Sequence, residues 1–246
     1  MNHDQIEGRQ PVREALRAQK RRVLEIQVAS GIQRSDIEEL LDSGLRQGAE
    51  ISWTSRDILD REAKTGAHQG VIALCEPYPY EPVSQLMEAA ARSESPPFLL
   101  VAAHIKDPQN LGALIRTAET AGVDGVIIPK RRAVGITPAV VKASAGATEH
   151  LSISMVTNLV RTVNQLKERR VWFYGADMNG ETLYDVRLDG AIGLCVGSEG
   201  SGLPRLLKES CDGLVSIPLC GSIESLNVSA AGAVVMFEVV RRRLEC

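Results

Sequence analysis

The first 75 residues alternate between strand patterns and amphipathic helix patterns. Three segments have the short apolar or alternating pattern of a strand: residues 23–29, 50–53 and 71–74. Three helices are predicted, one before the first strand and one after each of the first two strands, beginning near Arg9, Ser35 and Ser55, with the two serines acting as caps. We therefore predict a small α/β domain over residues 1–75.

From Phe98 onward the pattern becomes strand, then helix, repeated. Residues 98–103 are continuously apolar, which is typical of a strand buried on both faces of a sheet. Five further strands are predicted at residues 126–128, 151–156, 171–175, 191–196 and 214–218. Helical patterns separate these strands, so we predict an α/β fold with a mostly parallel sheet covered on both faces.

Between these regions, residues 76–97 contain five of the eleven prolines in the chain. Proline lacks a backbone donor and resists regular structure. We predict a linker over 76–97, with one or two helical turns near Met87, and a second domain over 98–246.

Composition narrows the class of protein. The chain has 246 residues, of which 44% are hydrophobic, enough for a substantial core. No apolar run reaches the length of a membrane span and no apolar signal stretch opens the chain, so we expect a cytoplasmic protein without a membrane partner. Five cysteines without C-x-x-C spacing favour reduced thiols and argue against a zinc site.

The net charge of −3 does not by itself indicate a nucleic-acid partner. Basic residues nevertheless cluster at positions 20–22, 130–132 and 241–243. Each cluster is either a solvated surface or part of a surface that grips a large RNA, and charge alone does not decide between the two.

Three polar segments follow predicted strands, at the edge where open α/β sheets build ligand sites. The first spans residues 107–112, where Asp107 and Pro108 fit the start of a helix. Asn110 and Arg116 follow six residues apart, which is about 120° around a helix. They can converge only if Asn110 lies in the turn before the helix.

The glycine spacing of the second segment disfavours a dinucleotide oxidoreductase. Gly197, Gly200 and Gly202 form G-x-x-G-x-G, not the G-x-G-x-x-G of dinucleotide-binding loops. The next strand ends in Ile217-Pro218-Leu219 and lacks the acid that would hold a ribose. Glu199 in the loop would repel a pyrophosphate and suits a cationic ligand such as S-adenosylmethionine.

The third segment places Ser225 and Asn227 just before a helix, where both residue types are common caps. Small residues follow at positions 229, 230, 232 and 233. They allow close packing of the helix against another subunit or against a threaded loop.

In this order, the three segments closely resemble the motifs of the SpoU/TrmH branch of the SPOUT RNA methyltransferases. The matching residues are 107–118, 197–202, 217–218 and 225–229. Residues 8–12, 68–70 and 142–149 resemble the bacterial enzymes that methylate a guanosine 2′-hydroxyl in 23S rRNA. The resemblance therefore covers nearly the whole chain.

This resemblance implies a deep trefoil knot in the C-terminal domain and a ribosomal-protein-like RNA-binding fold in the N-terminal domain. It implies a homodimer with sites formed across the interface, 23S rRNA as the partner, and S-adenosylmethionine as the cofactor without a metal. The residues implied to hold the cofactor are Leu194, Val196, Gly197, Gly200, Ile217, Pro218, Leu219, Leu226 and Asn227.

The resemblance also implies catalytic roles for Arg116, Asn110, Glu199, Asn227 and Ser225. The family assigns removal of the ribose proton to the arginine. Because a guanidinium stays protonated in proteins, Arg116 could instead grip the neighbouring phosphate, which would accept the proton. The sequence leaves both roles open. Asn110 would orient Arg116 or the ribose, Glu199 would position the substrate or Arg116, and Ser225 and Asn227 would shape the loop.

Two other functions compete with this interpretation. One is the same chemistry on tRNA, against which the N-terminal domain and His68-Gln69-Gly70 favour rRNA. The other is a non-catalytic RNA-binding or ribosome-assembly factor with the same fold, which the intact set of motif residues disfavours.

Overall fold

The computed structural model describes residues 3–92 and 95–245. These residues contain ten strands: β1 (Asp4–Glu7), β2 (Val23–Ala29), β3 (Glu50–Thr54), β4 (Val71–Cys75), β5 (Phe98–Ala102), β6 (Gly125–Pro129), β7 (Ser152–Val156), β8 (Trp172–Thr182), β9 (Ile192–Val196) and β10 (Gly213–Ser216). They contain nine α-helices: α1 (Arg9–Ala18), α2 (Glu38–Arg46), α3 (Arg56–Glu62), α4 (Val83–Ala90), α5 (Pro108–Thr120), α6 (Pro138–Ala143), α7 (Leu159–Lys167), α8 (Arg205–Ser210) and α9 (Val228–Leu244). None of these helices is long and apolar enough to cross a bilayer.

The chain divides into two compact units. The first contains residues 3–79 and 136–150, and the second contains residues 80–92, 95–135 and 151–245. The first unit is built on a sheet of order β1-β4-β2-β3, in which only the β2–β3 pair is parallel. Strand β1 was not predicted, because Ile6 is the only apolar residue among its four.

A buried ion pair fixes residues 136–150 within the first unit. The Arg21 guanidinium donates to both carboxylate oxygens of Glu149, at 2.7 and 3.1 Å, and the two side chains are 2% and 0% exposed. Arg21 also donates to Asp4 at 3.0 Å. Removing one partner of a buried pair leaves an uncompensated charge and costs about 3–5 kcal/mol. This segment was expected in the C-terminal domain, but its contacts place it in the first unit.

The second unit contains the mostly parallel sheet that the sequence predicts. Its six strands have the order β10-β8-β9-β5-β6-β7, and every neighbouring pair is parallel. Strands β5, β6 and β9 are buried along their whole length, as expected for strands covered on both faces. The carboxyl ends of all six strands therefore lie along one edge of the sheet.

The segment expected to be a linker differs from that expectation. Residues 80–92 belong to the second unit, and Val83–Ala90 forms helix α4. Leu86 is fully buried and fills the space that Gly125 leaves above β6, where a Cβ atom would lie 1.4 Å from Leu86 Cδ2. The prolines explain the difference: Pro82 is the N-cap of α4, and the helix itself contains no proline.

Candidate active site

Two loops and one helix start meet at the carboxyl edge of the six-stranded sheet. Strand β9 continues into the glycine loop of residues 197–202, and its neighbour β5 leads towards α5. Asn227 is the N-cap of α9. Because β5 and β9 are adjacent, the loops that follow them are brought side by side, which is the usual place for a ligand in an open α/β sheet.

The glycine loop is a closed turn with Glu199 near its tip. Ser198 and Gly202 exchange two backbone hydrogen bonds, at 3.1 and 2.9 Å. Gly200 and Gly202 have φ angles of 77° and 60°, which glycine adopts most easily. At Gly197 the requirement is steric, because a Cβ atom would lie 2.1 Å from the Gly202 carbonyl carbon.

Asn110, Glu199 and Asn227 form one hydrogen-bonded cluster. The amide nitrogens of Asn110 and Asn227 donate to the same Glu199 oxygen, Oε1, at 2.7 and 2.6 Å. The Asn227 amide nitrogen also lies 3.0 Å from Asn110 Oδ1. Asp107 caps α5 through the Gln109 N–H and accepts a bond of 3.1 Å from Asn110. The first and third polar segments therefore converge on the loop carboxylate.

The helix cap at Asn227 fixes which way its amide points. Asn227 Oδ1 accepts from the backbone N–H of Ser229 at 2.8 Å and from its hydroxyl at 2.6 Å. The amide nitrogen is thereby left to face Glu199, so capping and site formation use opposite ends of one side chain. Asn227 therefore makes two capping bonds to Ser229 and two further bonds, to Asn110 and Glu199.

A cavity of about 660 Å³ opens beside this cluster. This volume is in the usual range for pockets that bind small molecules. Its walls include nine of the predicted site residues: Val196, Gly197, Glu199, Gly200, Ile217, Leu219, Ser225, Leu226 and Asn227. The cavity thus brings together the glycine loop, the chain after β10 and the start of α9.

Four predicted residues do not line this cavity. Leu194 lies in the middle of β9 and is 1% exposed, so it is part of the core. Pro218 is exposed to solvent beside the lining residues. Asn110 is buried and reaches the site only through its amide bonds to the cluster. The fourth residue is Arg116, which lies outside the cavity of its own chain.

Arg116 does not converge with Asn110 within the chain. Helix α5 begins at Pro108, so Asn110 and Arg116 are both helical and point about 120° apart. Convergence required Asn110 to precede the helix, and it does not. The Arg116 side chain is exposed, and among the described residues its guanidinium has no hydrogen-bond or ion-pair partner. Ser225 lines the cavity, but its hydroxyl is not part of the hydrogen-bonded cluster.

One wall of the cavity was missed by the sequence analysis. Residues 176–179 continue β8 beyond the predicted end of the strand and line the pocket. The consecutive residues Leu214 and Val215 of β10 pair with Gly175 and Glu181, so the register skips residues 176–180 of β8. Burial alone would raise the pKa of the Asp177 carboxyl, but hydrogen bonds from Lys208 and Asn179 outweigh it and hold the pKa below its ordinary value. The polar run after an apolar strand was the available signal.

No cluster of metal-ligating side chains occurs within residues 3–92 and 95–245. Cys75, Cys195, Cys211 and Cys220 are unbridged, and Cys246 lies outside the described residues. A carboxylate and two amides at the rim of a cavity, at the carboxyl edge of a parallel sheet, are arranged as in the ligand sites of α/β enzymes that bind an organic cofactor.

Comparison with known proteins defines the family. The model of the SpoU rRNA Methylase family matches residues 97–237, and the model described as RNA 2′-O ribose methyltransferase substrate binding matches residues 5–81. The chain belongs to the SpoU/TrmH family of RNA 2′-O-ribose methyltransferases, as the motif resemblance predicted.

Individual relatives support the same conclusion over the full length. YacO of Bacillus subtilis, named as a TrmH family tRNA/rRNA methyltransferase, is 40% identical and the match covers 98% of this chain and 96% of YacO. A protein with the same family name from Staphylococcus haemolyticus is 38% identical, over 97% of this chain and 95% of its own.

Solved structures share the fold. The SpoU methyltransferase AviRb of Streptomyces viridochromogenes, solved in complex with AdoMet, has a TM-score of 0.83 at 23% identity and covers 99% of this chain and 92% of its own. A TrmH family protein from Porphyromonas gingivalis has a TM-score of 0.76 at 25% identity, over 98% and 90% of the two chains.

Proposed function

We propose that this protein transfers the methyl group of S-adenosylmethionine to the 2′-hydroxyl of a guanosine in 23S rRNA. The observation that carries the proposal is the hydrogen-bonded cluster of Asn110, Glu199 and Asn227 at the rim of the 660 Å³ cavity. The class of reaction is inferred from family membership, and the hydrogen-bonded cluster beside the cavity is the proposed site of that reaction.

The residues around the cavity fit the cofactor. The collision that a Cβ at Gly197 would make shows how closely two backbone segments approach there, and the apolar side chains of Ile217, Leu219 and Leu226 offer a surface for a nucleoside. The described residues that line the cavity include no lysine or arginine, so it does not favour a pyrophosphate. Glu199 offers a negative charge to a cation. When bound, S-adenosylmethionine supplies an electrophilic methyl group on its sulfonium. The family's trefoil knot, formed by the chain around this cavity, is part of the proposal.

The residues of the chain would act on the ribose. As the new O–C bond forms and the S–C bond breaks, the hydroxyl proton must leave. We propose that Glu199 and the two asparagines hold the ribose in line for this displacement, because alignment supplies much of the rate in such reactions. The proton goes to Arg116 or to a phosphate that Arg116 grips. A guanidinium is protonated at ordinary pH, so we favour the second role.

We further propose that Arg116 acts in the site of a second copy of the chain. It lies outside the cavity of its own chain, is exposed, and has no partner among the described residues. Helix α9 leaves Val234 and Phe237 36% and 47% exposed, an apolar surface that fits a homodimer interface. A two-fold dimer would give each site one arginine from the partner.

The N-terminal region, residues 1–75, is proposed to bind the RNA substrate. Its support is the match of residues 5–81 to the substrate-binding model. The same chemistry on tRNA is the second candidate, because the names of the most similar curated relatives reported above include both tRNA and rRNA. Both RNAs suit the cytoplasmic location expected from the sequence.

The two candidates are separated by offering both RNAs. The protein, incubated with tritiated S-adenosylmethionine, is expected to label 23S rRNA at one guanosine and to leave total tRNA unlabelled. Nucleotide mapping of the label identifies the position. Exclusive labelling of tRNA would favour the second candidate and contradict the rRNA assignment. If neither RNA is labelled, both candidate functions are contradicted.

A further inference from the structure

A second cavity, of about 320 Å³, lies at the other half of the same sheet edge. It is lined at the ends of β5, β6 and β7, by residues that include His104, Arg131, Arg132 and Asn158. Within the described part of the chain, no residue lines both this cavity and the cofactor cavity. Strands β8 and β6, which end beneath the two cavities, are three positions apart in the sheet, a separation of about 14 Å between the strands.

Of the three basic clusters in the sequence, the one at 130–132 keeps its arginines free of intramolecular partners. Arg21 is buried against Glu149, and Arg241 and Arg242 both donate to Glu238. Among the described residues, by contrast, the guanidinium groups of Arg131 and Arg132 have no hydrogen-bond or ion-pair partner. Both are exposed, and the lining residues that the structure describes include no carboxylate. The cavity is therefore positively charged without internal compensation.

The backbone around this cavity is held in an uncommon conformation. His104 and Arg132 have φ angles of 58° and 60°, in the left-handed region that non-glycine residues rarely adopt. Nδ1 of His104 is buried and has no hydrogen-bond partner in the described residues. Strained residues and unsatisfied polar atoms concentrate at functional sites, and here both occur in the wall of one cavity.

Helix α7 adds backbone donors to the same place. Its N-cap, Asn158, uses Oδ1 to accept from the Arg161 N–H at 3.0 Å. The N–H groups of Leu159 and Val160 lie in the first turn, so they have no helical acceptor, and both residues line the cavity. Unpaired N–H groups and the helix dipole together favour an anion.

We propose that this cavity binds a backbone phosphate of the RNA substrate, next to the methylated nucleotide and not at it. Arg131 and Arg132 would hold the phosphate oxygens, and the apolar side chains of Val160 and Leu206 would contact the attached nucleoside. The inference rests on the proposed function, because that function requires an RNA strand to cross this edge of the sheet. The phosphate site would fix the register of the RNA strand, so that one ribose of the RNA reaches the cofactor cavity.

The chain contains a matched control for the two arginines. Arg169 and Arg170 are also adjacent and exposed, and the second residue of the pair again has a positive φ, of 64°. They follow α7 and precede β8, so they lie at the amino edge of the parallel sheet, away from both cavities. Each double glutamine variant removes the same charge from the same type of backbone.

The test compares R131Q/R132Q with R169Q/R170Q in binding to transcribed 23S rRNA over a range of salt concentrations. We expect the first variant to bind about tenfold more weakly, with the slope of log K against log salt reduced by about one, since the loss of one phosphate contact removes about 0.7–0.9. The control is expected to change affinity by less than about twofold. S-adenosylmethionine should bind both variants as it binds the wild type.

Equal weakening by the two variants would show general electrostatic attraction and would overturn the proposal, as would unchanged binding by R131Q/R132Q. The single variant Arg131→Gln, at a position without positive φ, should show about half of the slope change and guards against a folding defect at Arg132. The proposed function fails separately. If the wild type binds rRNA through this cavity but transfers no methyl group to it, the phosphate site stands and the catalytic assignment falls.

Discussion

Replacing Arg116 with alanine is expected to lower the rate of methyl transfer about 100- to 1000-fold, the usual cost of removing a donor aimed at developing charge. Affinity for S-adenosylmethionine should stay unchanged, because Arg116 does not line the cofactor cavity. Arg116→Lys keeps the charge but loses the planar fork that holds a phosphate through two bonds, so an intermediate rate is expected. The measurements are single-turnover methyl transfer to 23S rRNA and, separately, cofactor titration.

Mixing two inactive variants tests whether Arg116 serves a second copy. Arg116→Ala and Glu199→Ala are each expected to be inactive. If a site takes Glu199 from one copy and Arg116 from the other, each mixed dimer contains one intact site. Random assortment in a two-fold dimer then restores about a quarter of the wild-type rate. Wild-type turnover by Arg116→Ala would rule out a central role for the arginine, and no recovery on mixing would place both residues in the site of one chain.

Replacing Gly197 with alanine is expected to weaken S-adenosylmethionine binding about tenfold to hundredfold. The added Cβ would lie 2.1 Å from the Gly202 carbonyl carbon and 2.3 Å from the Leu203 nitrogen. Both are backbone atoms, so the glycine loop must move, and strain of this kind costs about 1–3 kcal/mol. Because the loop carries Glu199, its displacement also separates the carboxylate from the two asparagine amides.

Gly221→Ala provides the control for that change. Gly221 lies in the loop between β10 and α9, its φ is not positive, and a Cβ there would meet nothing within 4 Å. Its cofactor affinity should equal that of the wild type, as measured by isothermal titration calorimetry. Circular dichroism on both variants establishes that the fold is retained. Equal affinity in Gly197→Ala and Gly221→Ala would contradict the assignment of this cavity to the cofactor.

Much of the site could be predicted because parallel strands align their carboxyl ends. Once β5 and β9 are adjacent, the loops after them must meet, and Asn110 and Glu199 come within hydrogen-bond distance although 89 residues separate them. Asn227 was named from the motif resemblance, but the residue type alone also fits a simple helix cap. The structure shows that its side chain caps α9 and contacts Glu199 at the same time.

Other features depend on packing that a local pattern does not encode. The wall at residues 176–179 lies in the part of β8 that the pairing with β10 skips, and this pairing is a long-range contact. The flanking prolines limited the prediction to one or two helical turns near Met87 within a linker. The structure shows helix α4 over Val83–Ala90, stabilised by burying Leu86 over β6. Leu194 was assigned to the cofactor by resemblance, although a continuous apolar strand is the pattern of a core position.

The chemical identity of the product tests the central claim most directly. After incubation of the wild-type protein with S-adenosylmethionine and 23S rRNA, nucleoside mass spectrometry should find new 2′-O-methylguanosine with an unmodified base. The linkage after that residue should resist alkali, because the 2′-oxygen can no longer attack it. A methyl group on a base, or no methylated nucleoside from either 23S rRNA or tRNA, would contradict the account.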